Sequence, residues 1–242
     1  MPEHPRTHEI VIPTDDGPMP AFEALPPDPC RGGVVVVQEA FGVTRHIEQV
    51  ATRLAEARWR AVAPALFHRQ GSPVLDYDDF AAVRPLMGAL TAGGITTDLT
   101  AALAHLEAQD IDPGRIGVVG FCMGGSVTLY AATLRPLGAA VTFYGGGVTE
   151  GRFGFPPGLD LAPNLQTPWL GLYGDLDQSI PPDDVEALRR AVGAAPVETE
   201  IVRYEDARHG FNCDDRPNAF DARASADAWA RTLAWFDRHL AG

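Results

Sequence analysis

One cysteine stands among small residues in a pattern that suits a nucleophile. The stretch GFCMGG at residues 120–125 follows an apolar run and precedes a helix-prone segment, Ser126–Leu134. Its G-x-C-x-G spacing is typical of the sharp strand-to-helix turn that presents a nucleophilic side chain above a sheet. Glycines leave room for such a turn, and the helix N-terminus that follows favours a thiolate. A free cysteine is more often a small buried hydrophobe, but these neighbours favour a nucleophilic role for Cys122.

A thiolate nucleophile needs a base, and the base needs a group that orients it. With this kind of turn, the acid and then the histidine follow the nucleophile along the chain. His209 comes just after the last predicted strand, whereas His239 ends a C-terminal helix, so we predict His209 as the base. The acid is expected in the loop GDLDQSIP at residues 174–181, where Asp175 and Asp177 compete. We favour Asp177, and Asp175 is then expected to bond to the local backbone.

The end of another predicted strand supplies the remaining parts of the site. The residues QEAFG at positions 38–42 follow the apolar strand Gly33–Gln38, where one oxyanion-hole N–H is donated in this arrangement. We assign the two oxyanion donors to the backbone N–H groups of Met123 and Ala40. A charged Glu39 would repel a developing oxyanion, so this carboxylate either faces water or acts as a second partner of Cys122.

Alternating strands and helices must position these residues. Several strand candidates are near-continuous apolar runs, such as VVVV at residues 34–37 and IGVVGF at residues 116–121. Continuous apolar runs are typical of strands that are buried on both faces. The pattern therefore predicts a mostly parallel sheet of about eight strands flanked by helices. The two amino-terminal strands are expected to form an antiparallel edge, and Gly145–Pro168 a long loop. We expect residues 1–242 to form one α/β domain.

Composition limits the partners of the protein. Its 242 residues include 19 Lys and Arg but 32 Asp and Glu, and the net charge of −13 disfavours nucleic acid and anionic membranes as partners. Three cysteines without CxxC spacing argue against a disulfide framework or a structural zinc site, and reduced thiols suit the cytosol. The chain shows neither a signal-peptide pattern nor an apolar run near the ~20 residues of a membrane span. We expect a cytoplasmic protein, monomeric or a small homo-oligomer, that acts on a small molecule.

Four motifs in this order resemble those of the dienelactone hydrolases (carboxymethylenebutenolidases), which have the α/β-hydrolase fold. The motifs are QEAFG at 38–42, GFCMGG at 120–125, Asp177 within G-x-x-D-x-x-I-P, and HGF at 209–211. The resemblance covers nearly the whole chain. It implies a Cys122-His209-Asp177 triad that hydrolyses a lactone or ester through a thioester, without metal or cofactor. It also implies that Glu39 pairs with Cys122 at rest and takes the thiol proton once substrate displaces it.

Substrate recognition departs from this family pattern. Well-known members bind a substrate carboxylate through arginines, one of them four residues after the histidine. That position is Cys213 here, so Arg216 and Arg84 are the candidate arginines, and Phe41 and Phe211 are further predicted substrate contacts. The resemblance leads us to expect a muconate-type dienelactone as substrate. The alternatives are a general carboxylesterase or thioesterase and, more remotely, a non-catalytic ligand-binding protein on the same scaffold.

Overall fold

One eight-stranded sheet forms the centre of the computed structural model, which describes residues 4–240. The strands are β1 (Arg6–Thr14), β2 (Gly17–Leu25), β3 (Gly32–Val37), β4 (Trp59–Pro64), β5 (Ile116–Phe121), β6 (Ala139–Phe143), β7 (Trp169–Gly174) and β8 (Thr199–Tyr204). The helices are α1 (Arg45–Glu56), α2 (Phe80–Ala89), α3 (Ala92–Glu107), α4 (Met123–Leu134), α5 (Gly158–Leu161), α6 (Pro182–Val192) and α7 (Ala222–His239).

The strands are arranged in the order β1-β2-β4-β3-β5-β6-β7-β8. Strand β2 pairs antiparallel with both β1 and β4, while every pairing from β4 through β8 is parallel. This confirms the predicted mostly parallel sheet and its antiparallel amino-terminal edge. Because the parallel strands end at one edge, the loops that follow β3, β5, β7 and β8 meet there, as ligand-binding loops do in such sheets.

Apolar layers cover both faces of the sheet. Along β3, Val34 and Val36 belong to a core layer with residues of α1 and α7, while Val35 and Val37 belong to a layer with residues of α3. Successive side chains of a strand point to opposite faces, so a strand covered on both sides must be apolar throughout. None of the helices within residues 4–240 is long and apolar enough to cross a bilayer.

The expected long loop Gly145–Pro168 is only partly a loop. It contains the short helix α5 and a 3-10 turn, Ala162–Asn164. Pro157 caps α5, and Leu161, Ala162 and Leu165 turn apolar side chains into the interior. Burial of these three side chains therefore orders a segment whose glycines and prolines alone indicate a loop.

Candidate active site

Cys122 lies on a strained turn between β5 and α4. Its φ of 54° and ψ of −113° are unusual for a residue with a side chain. A Cβ at Gly120 would overlap the carbonyl oxygen of Gly124, and a Cβ at Gly124 would overlap that of Val37. The glycines of the motif are therefore required for steric reasons, as the spacing predicted.

Asp177 and His209 meet above the carboxyl end of the sheet. Asp177 follows β7, His209 follows β8, and Asp177 Oδ2 lies 2.6 Å from His209 Nδ1. The other carboxylate oxygen, Oδ1, accepts hydrogen bonds from the backbone N–H and the hydroxyl of Ser179 at 2.8 and 2.7 Å. Burial alone would raise the pKa of Asp177, but the hydrogen bonds and charge of His209, together with Ser179, hold it below its ordinary value.

The surroundings of His209 favour the protonated form of its ring. Burial lowers the pKa of its ring, but the charge of Cys122 and hydrogen bonding with Asp177 and Cys122 raise this pKa to about 10. An imidazolium beside a thiolate is the form of a Cys-His pair that is ready for nucleophilic attack. The structure thus brings Cys122, His209 and Asp177 together in the order expected from the sequence.

The competing aspartate of the loop has a different role. Arg203 of β8 binds both oxygens of Asp175, at 2.7 and 2.8 Å. The expectation that Asp175 bonds to the local backbone missed this ion pair, because the arginine comes from a strand 28 residues later. The ion pair fastens the loop after β7 to β8, and so helps to hold Asp177 in place.

The two predicted oxyanion donors lie on neighbouring segments: Met123 follows Cys122 directly, and Ala40 lies in the loop after β3. Met123 is the first residue of α4, so its N–H lies beyond the reach of any intrahelical acceptor. Ala40 lies in the tight turn between Glu39 and Gly42, whose backbones form an isolated bridge. The assignment of Met123 and Ala40 as donors stays a prediction.

Glu39 lies in the site without a hydrogen bond to the thiol. It is fully buried, and within residues 4–240 neither of its carboxylate oxygens has a hydrogen-bond partner. No hydrogen bond joins Glu39 to Cys122 in the described residues, so the pairing of Glu39 with the thiol stays a prediction. The negative charge of Glu39 also raises the pKa of Tyr77 and Tyr144, after the larger effect of their burial.

Tyrosines surround this carboxylate, and the sequence reasoning missed them. Tyr144 follows β6 with a φ of 40°, is fully buried and packs its ring at a tilt against that of His209, with the ring centres 5.1 Å apart. Its hydroxyl has no partner within residues 4–240. Its place directly after a central strand, like that of Glu39, is the signal that could have identified it. Tyr77 hydrogen-bonds to Thr44 at 3.0 Å and packs 4.7 Å from Phe41.

A cleft of about 890 Å³ opens over Asp177 and His209, and its lining also includes Tyr77, Phe80 and Arg216. That volume is typical of sites for small organic molecules. Nearby, Cys213 is buried at the position where the family pattern places an arginine. Three residues later, Arg216 folds back over Tyr77, with its guanidinium carbon 5.6 Å from the ring centre.

The other predicted substrate contacts lie at different depths. Phe41 is buried under the same guanidinium, 5.8 Å away, so it supports Arg216 from below. Phe211 is fully buried, packs 5.2 Å from Tyr144 and does not line the cleft, so its contact with substrate stays a prediction. Arg84 is exposed on α2 and does not line the cleft, so the structure does not bring it to the site.

No group of three or more His, Cys, Asp or Glu side chains within residues 4–240 is arranged to hold a metal ion. Of the reactive groups described above, the imidazole of His209, the carboxylate of Asp177 and the guanidinium of Arg216 line the cleft, and the Cys122 thiol lies beside the imidazole. Their arrangement suits attack on an acyl carbon and transfer of one proton to a leaving oxygen.

Comparisons with known proteins bear on the family of the chain. A model of the dienelactone hydrolase family matches residues 19–240. A protein of Escherichia coli O157:H7 named "Putative carboxymethylenebutenolidase" is 40% identical over 236 residues, which are 94% of this chain and 85% of that one. The "Carboxymethylenebutenolidase" of Rhodococcus opacus is 29% identical over 242 residues, covering 99% of this chain and 93% of that protein. The crystal structure of a "Putative Dienelactone Hydrolase" from Klebsiella pneumoniae superimposes with a TM-score of 0.90 at 38% identity, covering 98% of this chain and all of that one.

Proposed function

The chain belongs to the dienelactone hydrolase family and has its α/β-hydrolase fold, and from this premise we propose that it hydrolyses a lactone or ester with Cys122 as nucleophile. Membership of the family supports the class of reaction. One observation carries the choice of nucleophile: Cys122 lies on the strained turn beside a histidine whose far nitrogen is bonded to a buried aspartate at 2.6 Å.

The proposed reaction has two halves. In the first, the Cys122 thiolate attacks the acyl carbon, and the N–H groups of Met123 and Ala40 stabilise the oxyanion. The C–O bond then breaks, a thioester remains on Cys122, and the His209 imidazolium gives its proton to the leaving oxygen. In the second half, neutral His209 takes a proton from water as the water attacks the thioester. The acid leaves and the thiolate returns, so the cycle needs no oxidant or reductant.

Glu39 has a less direct role in this scheme. In this proposal the imidazole of His209, next to the thiol, accepts the thiol proton, and the carboxylate does not. For Glu39 to accept that proton, as in the family pattern, its side chain would first have to turn towards Cys122. A buried carboxylate without a hydrogen-bond partner is costly, which favours a functional reason for keeping it beside the oxyanion loop.

Arg216 supports a substrate that carries a carboxylate. Its guanidinium lines the cleft and stacks on Phe41 and Tyr77, and within residues 4–240 it forms no salt bridge. An arginine fixed on aromatic faces is well suited to bind a planar carboxylate. We therefore propose an acid-bearing lactone of the dienelactone type as substrate. A general carboxylesterase or thioesterase would not depend on this arginine.

Ultraviolet absorbance can follow the hydrolysis of cis- and trans-dienelactone by the wild type and by Cys122→Ala. Cys30→Ala serves as a matched control, because Cys30 is an exposed thiol in a loop before β3. We expect turnover by the wild type and by Cys30→Ala, and its loss in Cys122→Ala. Turnover of a simple aryl ester but of neither dienelactone would keep the triad and reject the substrate. Equal activity of all three proteins would reject Cys122 as nucleophile.

A further inference from the structure

Two large apolar side chains are exposed at the mouth of the catalytic cleft. Phe80 is 61% exposed and Leu176 is 47% exposed. Both line the cleft that contains His209. A single exposed apolar residue is common on protein surfaces, but two at the mouth of one functional cleft indicate a binding surface.

Phe80 is held in place from below and from its own helix. It is the first residue of α2, and Asp79 caps this helix by accepting a hydrogen bond from the N–H of Ala82 at 3.0 Å. Its ring packs edge-on against Phe41, with the ring centres 5.8 Å apart. The exposed face of Phe80 thus continues the aromatic floor that Phe41 and Tyr77 form beneath Arg216.

Leu176 is fixed equally well. It lies between Asp175, which Arg203 binds through both oxygens, and Asp177, which is bonded to His209 and Ser179. Its own N–H donates to the carbonyl of Ala207 at 2.9 Å. The backbone therefore cannot turn this side chain inward without breaking the triad loop. When a ligand covers an apolar side chain that is held in water in this way, the free energy of the complex falls.

We propose that the substrate carries an uncharged apolar group beyond its scissile bond, either an aryl ring or an alkyl chain of several carbons, that binds against Phe80 and Leu176. The carboxylates of Asp76 and Asp78, close to Phe80 along the chain, also line the cleft, so a second anionic group is disfavoured there. This proposal rests on the proposed hydrolase function and extends it from the reacting bond to the far end of the substrate.

The ratio of kcat/KM for p-nitrophenyl hexanoate to that for p-nitrophenyl acetate tests the proposal, because the leaving group is constant and only the acyl chain changes. Phe80→Ser and Leu176→Ser remove the apolar contacts. Val11→Ser is the matched control, since Val11 is 64% exposed on β1. We expect the wild type to prefer hexanoate, the ratio to fall about tenfold in the Phe80 and Leu176 variants, and the control to keep the wild-type ratio.

Calorimetric titration of hexanoate and acetate into the same proteins gives a readout that does not require hydrolysis. Tighter binding of hexanoate that is lost in the Phe80 and Leu176 variants would support the apolar site even if neither ester were hydrolysed, and only the proposed function would then fail. Hydrolysis of both esters with an unchanged ratio in the variants would overturn the apolar site alone. If the Phe80 and Leu176 variants kept the wild-type ratio but lost a self-association that the wild type shows in sedimentation experiments, the apolar site would be overturned. A second copy of the chain would then be the group that covers these residues.

Discussion

Asp177 and His209 come from different loops, and Oδ2 of the aspartate lies 2.6 Å from Nδ1 of the histidine. The aspartate is almost completely buried, and its second oxygen is occupied by the N–H and hydroxyl of Ser179. Its pKa lies below the ordinary value, so the carboxylate stays charged at neutral pH. This fixed charge favours a proton on Nδ1 and leaves Nε2 available to the thiol.

Asp177→Asn should reduce kcat by about 10⁴-fold while leaving the fold intact, because an amide in this place favours the wrong imidazole tautomer. Steady-state kinetics with an aryl ester measure the effect, and circular dichroism monitors the fold. Asp175→Asn is the matched control. It breaks the ion pair with Arg203, so it should lower the melting temperature and leave kcat near the wild-type value. Near-normal kcat in Asp177→Asn would contradict the assignment of the acid.

The steric pattern around the cysteine could be predicted because it depends on neighbours along the chain. Glycines at fixed spacing, a strand before and a helix after are local features, and the structure confirms the turn. The contacts that could not be predicted join distant segments. Arg203 reaches Asp175, Tyr144 packs against His209, and Arg216 folds back over Tyr77, and each contact depends on how separate loops pack at one edge of the sheet.

Gly124→Ala should destabilise the protein by several kcal/mol, about 4 kcal/mol or more, because the new Cβ would overlap the carbonyl of Val37. Gly88→Ala offers a matched control in α2, where nothing lies within 4 Å of the new Cβ. That substitution should be neutral or stabilise by up to about 1 kcal/mol, because alanine is the better helix former. Urea denaturation measures both, and equal stability of the two variants would contradict the steric account of the turn.

Glu23 should make the protein lose stability in acid. It is buried on β2 and pairs with His8, Arg60 and His105 at 3.1, 2.8 and 2.8 Å. Although burial alone would raise its pKa, the hydrogen bonds from His105 and Arg60 lower it from 4.5 to about 2. The folded pKa is below the unfolded one, so this contribution is complete above pH 4.5 and is lost as the pH falls towards 2.

Glu23 should contribute about 3 kcal/mol to the free energy of unfolding above pH 4.5, because folding lowers its pKa from 4.5 to about 2. Denaturation as a function of pH should therefore show a steeper decline for the wild type than for Glu23→Gln between pH 4.5 and 2. Glu9→Gln, an exposed change on β1, should follow the wild-type curve. Parallel curves for the wild type and Glu23→Gln would show that Glu23 does not carry this pH dependence.

Arg216→Ala should reduce kcat/KM for trans-dienelactone by about 10- to 100-fold and for p-nitrophenyl acetate much less, because only the lactone carries a carboxylate for the guanidinium. Arg84→Ala is the control, since Arg84 is exposed on α2 outside the cleft, and it should leave both values unchanged. Equal losses for the two substrates in Arg216→Ala would indicate a structural role for Arg216. A loss in Arg84→Ala as large as that in Arg216→Ala would contradict the assignment of Arg216 as the carboxylate ligand.

The most direct test of the account is to find the atom that becomes acylated. The wild type is mixed with a p-nitrophenyl ester, quenched in acid during turnover, digested and analysed by mass spectrometry. We predict an acyl group on the peptide that contains Cys122, and its accumulation in His209→Gln if water attack becomes slower than acylation. Turnover with an acyl group on another residue, or with unmodified Cys122 at every quench time, would contradict the claim that Cys122 is the nucleophile.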